Sequence, residues 1–357
     1  MTRTLSFAAN RKAPEYYPAF DYLRISLASI VVVWHSGLEI WRAADYAVQI
    51  FFALSGWLIG GILLRSTPSK LPRFYFHRAA RIWIPFFVAI GLLALASLLK
   101  GPATATLAKM FFYDATFTFN FFGVPLVETY AASEIPLGNT GIHFWSICAE
   151  EQFYLFAPFL ITLLPGGVGR KPFFWLFISI VAISCPYWKN FGAISVGVLA
   201  AVTTYEFGEW HAVKKIKIGL AVVFALVLGA TYFELIPYRI GAPISAIALV
   251  LSCAWRGKPS RLGVFLGGIS YPMYLNHWIG WFIANALFAK IGLRGTIYNT
   301  MASLAFATII AAVAYICVDR VVKNHRDKYF TPARGKATAL CGFTLLIIGM
   351  LFALRDV

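Results

Sequence analysis

A chain of 357 residues that is 60% hydrophobic and only 13% charged, with a mean hydropathy of +0.72, is not a water-soluble domain; such a domain carries about a quarter charged residues. The formal charge of +16 does not mark a nucleic-acid binder, because the lysines and arginines cluster between apolar runs, as in the cytoplasmic loops of a polytopic membrane protein. The expected fold is therefore all-α, and the lipid bilayer is its first partner.

The opening MTRTLSFAANRKAPEYYP is too polar for a cleaved signal peptide, so residues 1–19 read as a cytosolic lead-in. Apolar runs follow near 23–41, 46–64, 82–99, 143–165, 172–187, 190–206, 217–235, 240–255, 263–288, 298–318 and 337–355. Given that a span needs ~20 mainly apolar residues, these are eleven candidate helices, of which 172–187, 190–206 and 240–255 are short. The boundary CPYWKNFG, 185–192, reads as a tight turn or a kink. With the N-terminus inside, 23 of the 31 basic residues fall on inner segments, and eleven spans put the C-terminus outside. The five cysteines stand singly in apolar stretches and read as small buried hydrophobes, not as disulfides or metal ligands.

The first run, FDYLRISLASIVVVWHSGLEIW, carries Arg24 and His35 eleven positions apart. At ~100° per residue this is about 1,100° of turn, which brings both to nearly one helix face, roughly 16 Å apart along the axis. Ionisable groups inside a bilayer are costly and mark functional sites by default. Ahead of the third run, FYFHRAARIWIPFF sets Arg78 and Arg81 at i, i+3. Two guanidiniums beside a helix N-terminus suit a phosphate; on the local sequence alone an anchor at the lipid headgroups is the favoured reading. The stretch 100–142, rich in Phe and Tyr, is the largest segment outside the spans and could serve as a lid or re-entrant piece.

The fourth run, HFWSICAEEQFYLFAP, enters from the outside and puts Glu150 seven residues past His143, ~10 Å below the outer end. Glu151 points about 100° away, so the two cannot serve one site equally. His277, in GISYPMYLNHWIGWF, lies fourteen residues into a helix entering from the inside, at ~21 Å, and His35 about 13 residues into its own, at ~20 Å. In a core ~30 Å thick, both histidines and Glu150 are then expected at a common depth about 10 Å below the outer face. Each alone could be a packing residue; three titratable groups at one depth point to function.

Taken in order, these segments resemble the membrane acyltransferase-3 family, which includes bacterial O-acetyltransferases of surface polysaccharides. FDYLRISLASIVVVWH resembles its opening segment with Arg24 and His35, QIFFALSGWLIGGIL its FF-x-LSG-x-LI segment, and Arg78-Ala-Ala-Arg81 its paired-arginine motif. FWSICAEEQFYLFAP resembles WSLSVEEQFYLLWP, and LGGISYPMYLNHW resembles ISY-x-LYL-x-HW. The chain departs from the pattern where Cys148 replaces a serine, where Asn276 precedes the histidine, and where Asp319 stands in place of Glu-x-Pro. No SGNH-type esterase segment follows in this sequence. The resemblance implies a transmembrane core of about ten helices over 20–322, with an inner loop and an eleventh helix over 323–357.

The family implies acyl transfer, commonly of acetyl, from a cytosolic acyl-CoA such as acetyl-CoA to a hydroxyl of a carbohydrate or glycolipid at the outer face of a bacterial inner membrane. In that scheme Arg24, Arg78 and Arg81 hold the nucleotide phosphates. His35 acts as general base, or carries the acyl group itself; both routes are open. Glu150 orients its imidazole, as a triad carboxylate does. His277 assists catalysis, and Tyr271, Trp145 and His143 contact the substrate. No ligand-spaced motif for a metal links the histidines. The competing reading is a proton-coupled transporter or flippase of a glycolipid or small solute, with His35, Glu150 and His277 as a relay; a scaffold whose buried polar groups only fix packing is a third. Nothing in the sequence assigns an oligomeric state.

Overall fold

A computed structural model describes residues 16–185 and 191–356. Most of the 1–19 lead-in and the centre of the 185–192 boundary lie outside the described residues. Within them every apolar run of the sequence forms a helix, and no strand occurs. The helices are α1 (Pro18–His35), α2 (Ala43–Leu64), α3 (Leu71–Lys100), α4 (Ala105–Ala115), α5 (Phe119–Tyr130), α6 (Trp145–Pro158), α7 (Pro172–Ser184), α8 (Gly192–Phe207), α9 (Lys214–Tyr232), α10 (Tyr238–Cys253), α11 (Arg261–Ala289), α12 (Ile297–Ala314), α13 (Arg320–Tyr329) and α14 (Pro332–Asp356).

Burial separates an inner set from a lipid-facing one. The apolar stretch of α2 is 72% buried inside the protein, that of α9 only 6%. An apolar helix that the protein leaves uncovered needs hydrocarbon around it. Among the described residues five helical segments, Ala43–Leu64, Pro68–Lys100, Lys214–Tyr232, Ile297–Tyr329 and Pro332–Arg355, are long and apolar enough to cross a membrane. Of the cysteines only Cys148 is buried; Cys185 and Cys253 are half-buried, while Cys317 and Cys341 are exposed, contrary to the sequence expectation. The last two sit on the segments Ile297–Tyr329 and Pro332–Arg355, whose apolar stretches are only 17% and 22% buried inside the protein.

Two helix ends differ from expectation, and both bear on the site. α1 stops at His35 instead of running to residue 41, because Gly37 takes a left-handed backbone (φ +105°) that ends the helix. His35 therefore stands at the terminus of α1. α3 begins at Leu71, eleven residues earlier than its apolar run, with Pro72 in the first turn where a missing N–H costs nothing. Arg78 and Arg81 consequently lie two to three turns inside α3, and the helix-dipole argument for them falls away.

Close approach of the inner helices rests on small residues. A Cβ on Gly56 of α2 would lie 2.1 Å from the carbonyl oxygen of Ile194, and one on Gly197 of α8 would lie 2.3 Å from that of Ala53. The two backbones touch there, as small residues allow in membrane helix pairs. The stretch 100–142 folds into α4 and α5. It is tied to α6 by Gln152, whose Nε2 donates to the Phe117 carbonyl at 2.6 Å and to Asn120 Oδ1 at 2.8 Å. α5 also packs on the short turn Ile142–Phe144 that carries His143.

Candidate active site

α1, α2, α3, α6 and α11 enclose a cavity of about 1,020 Å³, its open mouth included. Arg24, Arg78 and Arg81 line one part of it; Ser55, Glu150 and Tyr154 follow, and Ser146 and Tyr274 line it beyond. The three cations come from two helices: Arg24 from the second turn of α1, Arg78 and Arg81 from one face of α3. Arg24 reaches Asp21 at 3.7 Å, and the Arg78 guanidinium lies 5.4 Å from the centre of the Tyr154 ring. Among the described residues no carboxylate lies within ion-pair distance of Arg78 or Arg81. Guanidiniums brought together repel, and an anion between them offsets that repulsion.

Glu150 sits with the arginines. Its Oε1 accepts a hydrogen bond from Ser55 Oγ at 2.6 Å, and the Tyr154 hydroxyl donates to the same Ser55 at 3.1 Å. Among the described residues it makes no hydrogen bond to His35, so the expectation that Glu150 orients that imidazole is corrected. The reason is geometric. α6 starts at Trp145, with His143 on the turn before it, so Glu150 lies about two helical turns, ~10 Å, from His143 towards the arginines. Glu151 faces elsewhere, accepting from Trp83 Nε1 at 2.6 Å.

His35 has other company. Its ring stacks on that of His277 at 4.9 Å between centres and 25° between planes. His143 completes the group, 4.6 Å from His277 and 6.1 Å from His35. Each imidazole touches a backbone carbonyl: His35 Nδ1 to Val31 at 3.0 Å, His277 Nδ1 to Tyr274 at 2.9 Å, and His143 Nε2 to Leu275 at 3.3 Å. A carbonyl only accepts, so in each neutral ring that nitrogen carries the proton and the other keeps the lone pair. His35 and His277 thus present Nε2 as a base and His143 presents Nδ1.

The wall between cavity and imidazoles is a pair of hydroxyls. Ser146 Oγ and the Tyr274 hydroxyl lie 2.6 Å apart, both line the cavity, and both lie within hydrogen-bond distance of the His143 carbonyl, at 3.2 and 2.9 Å. The Tyr274 ring lies 5.5 Å from His143 and 6.5 Å from His277. Ser146, Tyr274, Ser55 and Tyr154 were not singled out from the sequence as site residues, although the segments resembling the family contain all four.

The remaining expectations divide. Tyr271 donates its hydroxyl to the Ile82 carbonyl at 3.2 Å and lines the cavity beside Arg24 and Arg81, so it belongs to the arginine side. Trp145 stands edge-on to Phe52 at 5.7 Å, packed against the apolar core, and is not among the residues that line the cavity. Among the described residues no group of three His, Cys, Asp or Glu side chains has the geometry to hold a metal ion.

Residues 17–318 match the acyltransferase domain family. The chain is a membrane acyltransferase of this family. It is 31% identical over 188 residues to the peptidoglycan O-acetyltransferase OatA of Listeria monocytogenes, covering 49% of this chain and 29% of that one. Over 349 residues it is 24% identical to BcsY of Komagataeibacter xylinus, named as a membrane-bound transacylase, across 90% of this chain and 86% of the relative. A Staphylococcus aureus protein named as an O-acetyltransferase is 29% identical over 194 residues, 52% of this chain and 31% of its own length. The chain thus spans less than a third of the first and third of these relatives, and most of the second. No solved structure matches it at a significant level. The chain thus carries the acyltransferase domain of this family, and the relatives named above are bacterial proteins.

Proposed function

We propose that the enzyme takes an acyl group, acetyl in the simplest case, from an acyl-CoA and transfers it to a hydroxyl of a carbohydrate or glycolipid. The arginine side faces the cytosol and the histidine side the outer face of the inner membrane. One observation carries this reading: a single cavity joins three arginines, two of them without a carboxylate within ion-pair distance among the described residues, to the hydroxyl pair beside His143 and His277, and His35 stacks on His277. The arginines suit the phosphates of coenzyme A, and the cavity suits its uncharged arm. A transporter relay gives no reason to leave Arg78 and Arg81 without carboxylate partners.

The chemistry follows from the free lone pairs. His35 Nε2 accepts the proton of the acceptor hydroxyl as its oxygen attacks the thioester carbonyl. The tetrahedral intermediate collapses, the carbon–sulfur bond breaks, and the imidazolium returns its proton to the departing coenzyme A thiolate. His277, stacked on His35 with its own Nε2 free, is placed to hold the acceptor. Ser146 and Tyr274 stand between thioester and imidazoles and must part for the carbonyl to reach them; either hydroxyl can then donate to the developing oxyanion. The test is a proteoliposome assay with radiolabelled acetyl-CoA and an outer-face glycan, following both free coenzyme A and labelled glycan. One thiol released per acetyl transferred supports the reading; solute movement without coenzyme A release overturns it.

A further inference from the structure

A second cavity, of about 910 Å³ with its mouth, adjoins the first. Arg24, Arg81 and Tyr271 line both, so the partition between the two chambers is itself built from two cations and a tyrosine. The second chamber adds Lys323 and Arg326 from α13, with Tyr315 and Asp319 from the π-helical turn Tyr315–Asp319 that joins α12 to α13. α13 is docked by Asp327, whose Oδ1 lies 2.6 Å from Arg73 Nη2 and 3.2 Å from His77 Nε2, both on α3. This clamp brings Lys323 and Arg326 to the cavity that Arg81 borders.

The charges of the chamber do not balance. Of its acids, Asp21 is already bonded to the Tyr16 hydroxyl and paired with Arg24. Asp319 keeps one buried oxygen with no hydrogen-bond partner, and the Arg326 Nε is buried and equally without one. Among the described residues neither Lys323 nor Arg326 has a carboxylate within ion-pair distance. With Asp21 and Arg24 set aside as a pair, three cations, Arg81, Lys323 and Arg326, face the single carboxylate of Asp319, an excess of positive charge that suits an anion.

We propose that this chamber holds the nucleotide end of the acyl donor, with Lys323 and Arg326 binding the phosphate on the ribose. The proposal rests on the coenzyme A reading above and fixes the order of the donor along the protein. The thioester must lie nearest the imidazoles, so the uncharged arm occupies the first cavity. The diphosphate then falls at the partition, held by Arg24 and Arg81 with Arg78 on the side of the first cavity, and the ribose phosphate, the group farthest from the thioester, falls at α13. Tyr315 offers a ring for the base to stack on, and the free oxygen of Asp319 offers an acceptor to an amino group on it, a role no phosphate could fill.

The probe is a pair of donors differing in one group: acetyl-CoA, and acetyl-dephospho-CoA, which lacks only the ribose phosphate. With purified enzyme in phosphatidylcholine nanodiscs, the parent should prefer acetyl-CoA in kcat/KM by about tenfold or more, the scale of one charge-assisted phosphate contact. In Lys323→Gln, Arg326→Gln and the double variant this preference should fall stepwise towards one. Lys323→Arg and Arg326→Lys should retain it, and Arg78→Ala, which weakens the donor elsewhere, should leave the ratio near the parental value. Lys323 is exposed, so its substitution does not threaten folding. A parental preference that survives in the double variant overturns the proposal. So does a KM for acetyl-CoA that rises when phosphatidylglycerol is added for the parent but not for the double variant, which would assign the chamber to a lipid headgroup phosphate. A parent that consumes neither donor would instead defeat the coenzyme A reading itself.

Discussion

The two ends of the main cavity are held in opposite ways. At the histidine end each ring has one nitrogen committed to a backbone carbonyl, and the carbonyl of His143 is itself held by two hydroxyls. At the arginine end Arg78 leans on an aromatic face and Arg81 has no carboxylate partner among the described residues. The first arrangement is preorganised: tautomer and ring position are fixed before any substrate arrives. The second is unfinished, a group of like charges that a polyanionic ligand completes. On the proposed function, chemistry belongs where reorganisation is smallest and donor capture where an anion gains most, which predicts kcat effects at one end and KM effects at the other.

The strongest break of that division is at His35. Replacing it by alanine removes the base, and kcat should fall about 10²–10⁴-fold, the usual share of a general acid–base group, while the KM for acetyl-CoA stays within about threefold because no donor contact is lost. Labelled acetyl transfer in proteoliposomes measures both. A KM effect larger than the kcat effect would place His35 in donor binding and dissolve the contrast.

Arg78→Ala tests the other end. Losing a charge-assisted contact to phosphate, worth about 1.5–3 kcal/mol, should raise the KM for acetyl-CoA about 10–100-fold. Raising the salt concentration should weaken donor binding in the parent more than in the variant, since part of the attraction is screened. Initial-rate series at two ionic strengths give both numbers; a salt response identical in parent and variant would show that Arg78 acts by packing on Tyr154 alone.

The sequence carried this contrast only in part. Apolar run length is set by bilayer thickness, a constraint local to each segment, and so every expected run forms a helix. The common depth of His35 and His277 was also legible, because rise per residue converts position into depth. The place of His143 beside them was not, since the resemblance implied it only as a substrate contact. His143 lies on a short turn before α6, and only the packing of that turn against α11 brings its ring to His277. Counting helix rise from residue 143 also set Glu150 at the histidine depth, whereas α6 delivers it to Ser55 and the arginines. α13 escaped for a related reason: Lys323 and Arg326 read as part of a basic inner loop until Asp327 docks that helix on α3.

The wall between the ends gives a smaller effect. Tyr274→Phe removes the hydroxyl shared with Ser146 and the bond to the His143 carbonyl. A neutral hydrogen bond is worth about 0.5–1.5 kcal/mol, so kcat should fall about 3–10-fold with donor KM little changed. A rise in kcat would mean that the hydroxyl pair serves as a barrier whose opening limits the reaction, and not as the support of the His143 turn.

The smallest expected effect is the most discriminating. A carboxylate that orients a catalytic imidazole is worth about 10⁴ in kcat when exchanged for its amide, because the amide stabilises the wrong tautomer. Glu150 accepts its bond from Ser55 and lies about two helical turns, ~10 Å, from His143. A glutamine at 150 can still accept that bond through its carbonyl oxygen. The His35 tautomer is meanwhile set by the Val31 carbonyl and does not depend on residue 150. Glu150→Gln should therefore leave kcat at saturating acetyl-CoA within about threefold of the parent, the range of an exchange that preserves the hydrogen bond. A loss of 10³ or more would return Glu150 to the catalytic end and require α6 to shift about two turns along its axis during turnover, a movement that crosslinking of residue 150 to residue 55 would block.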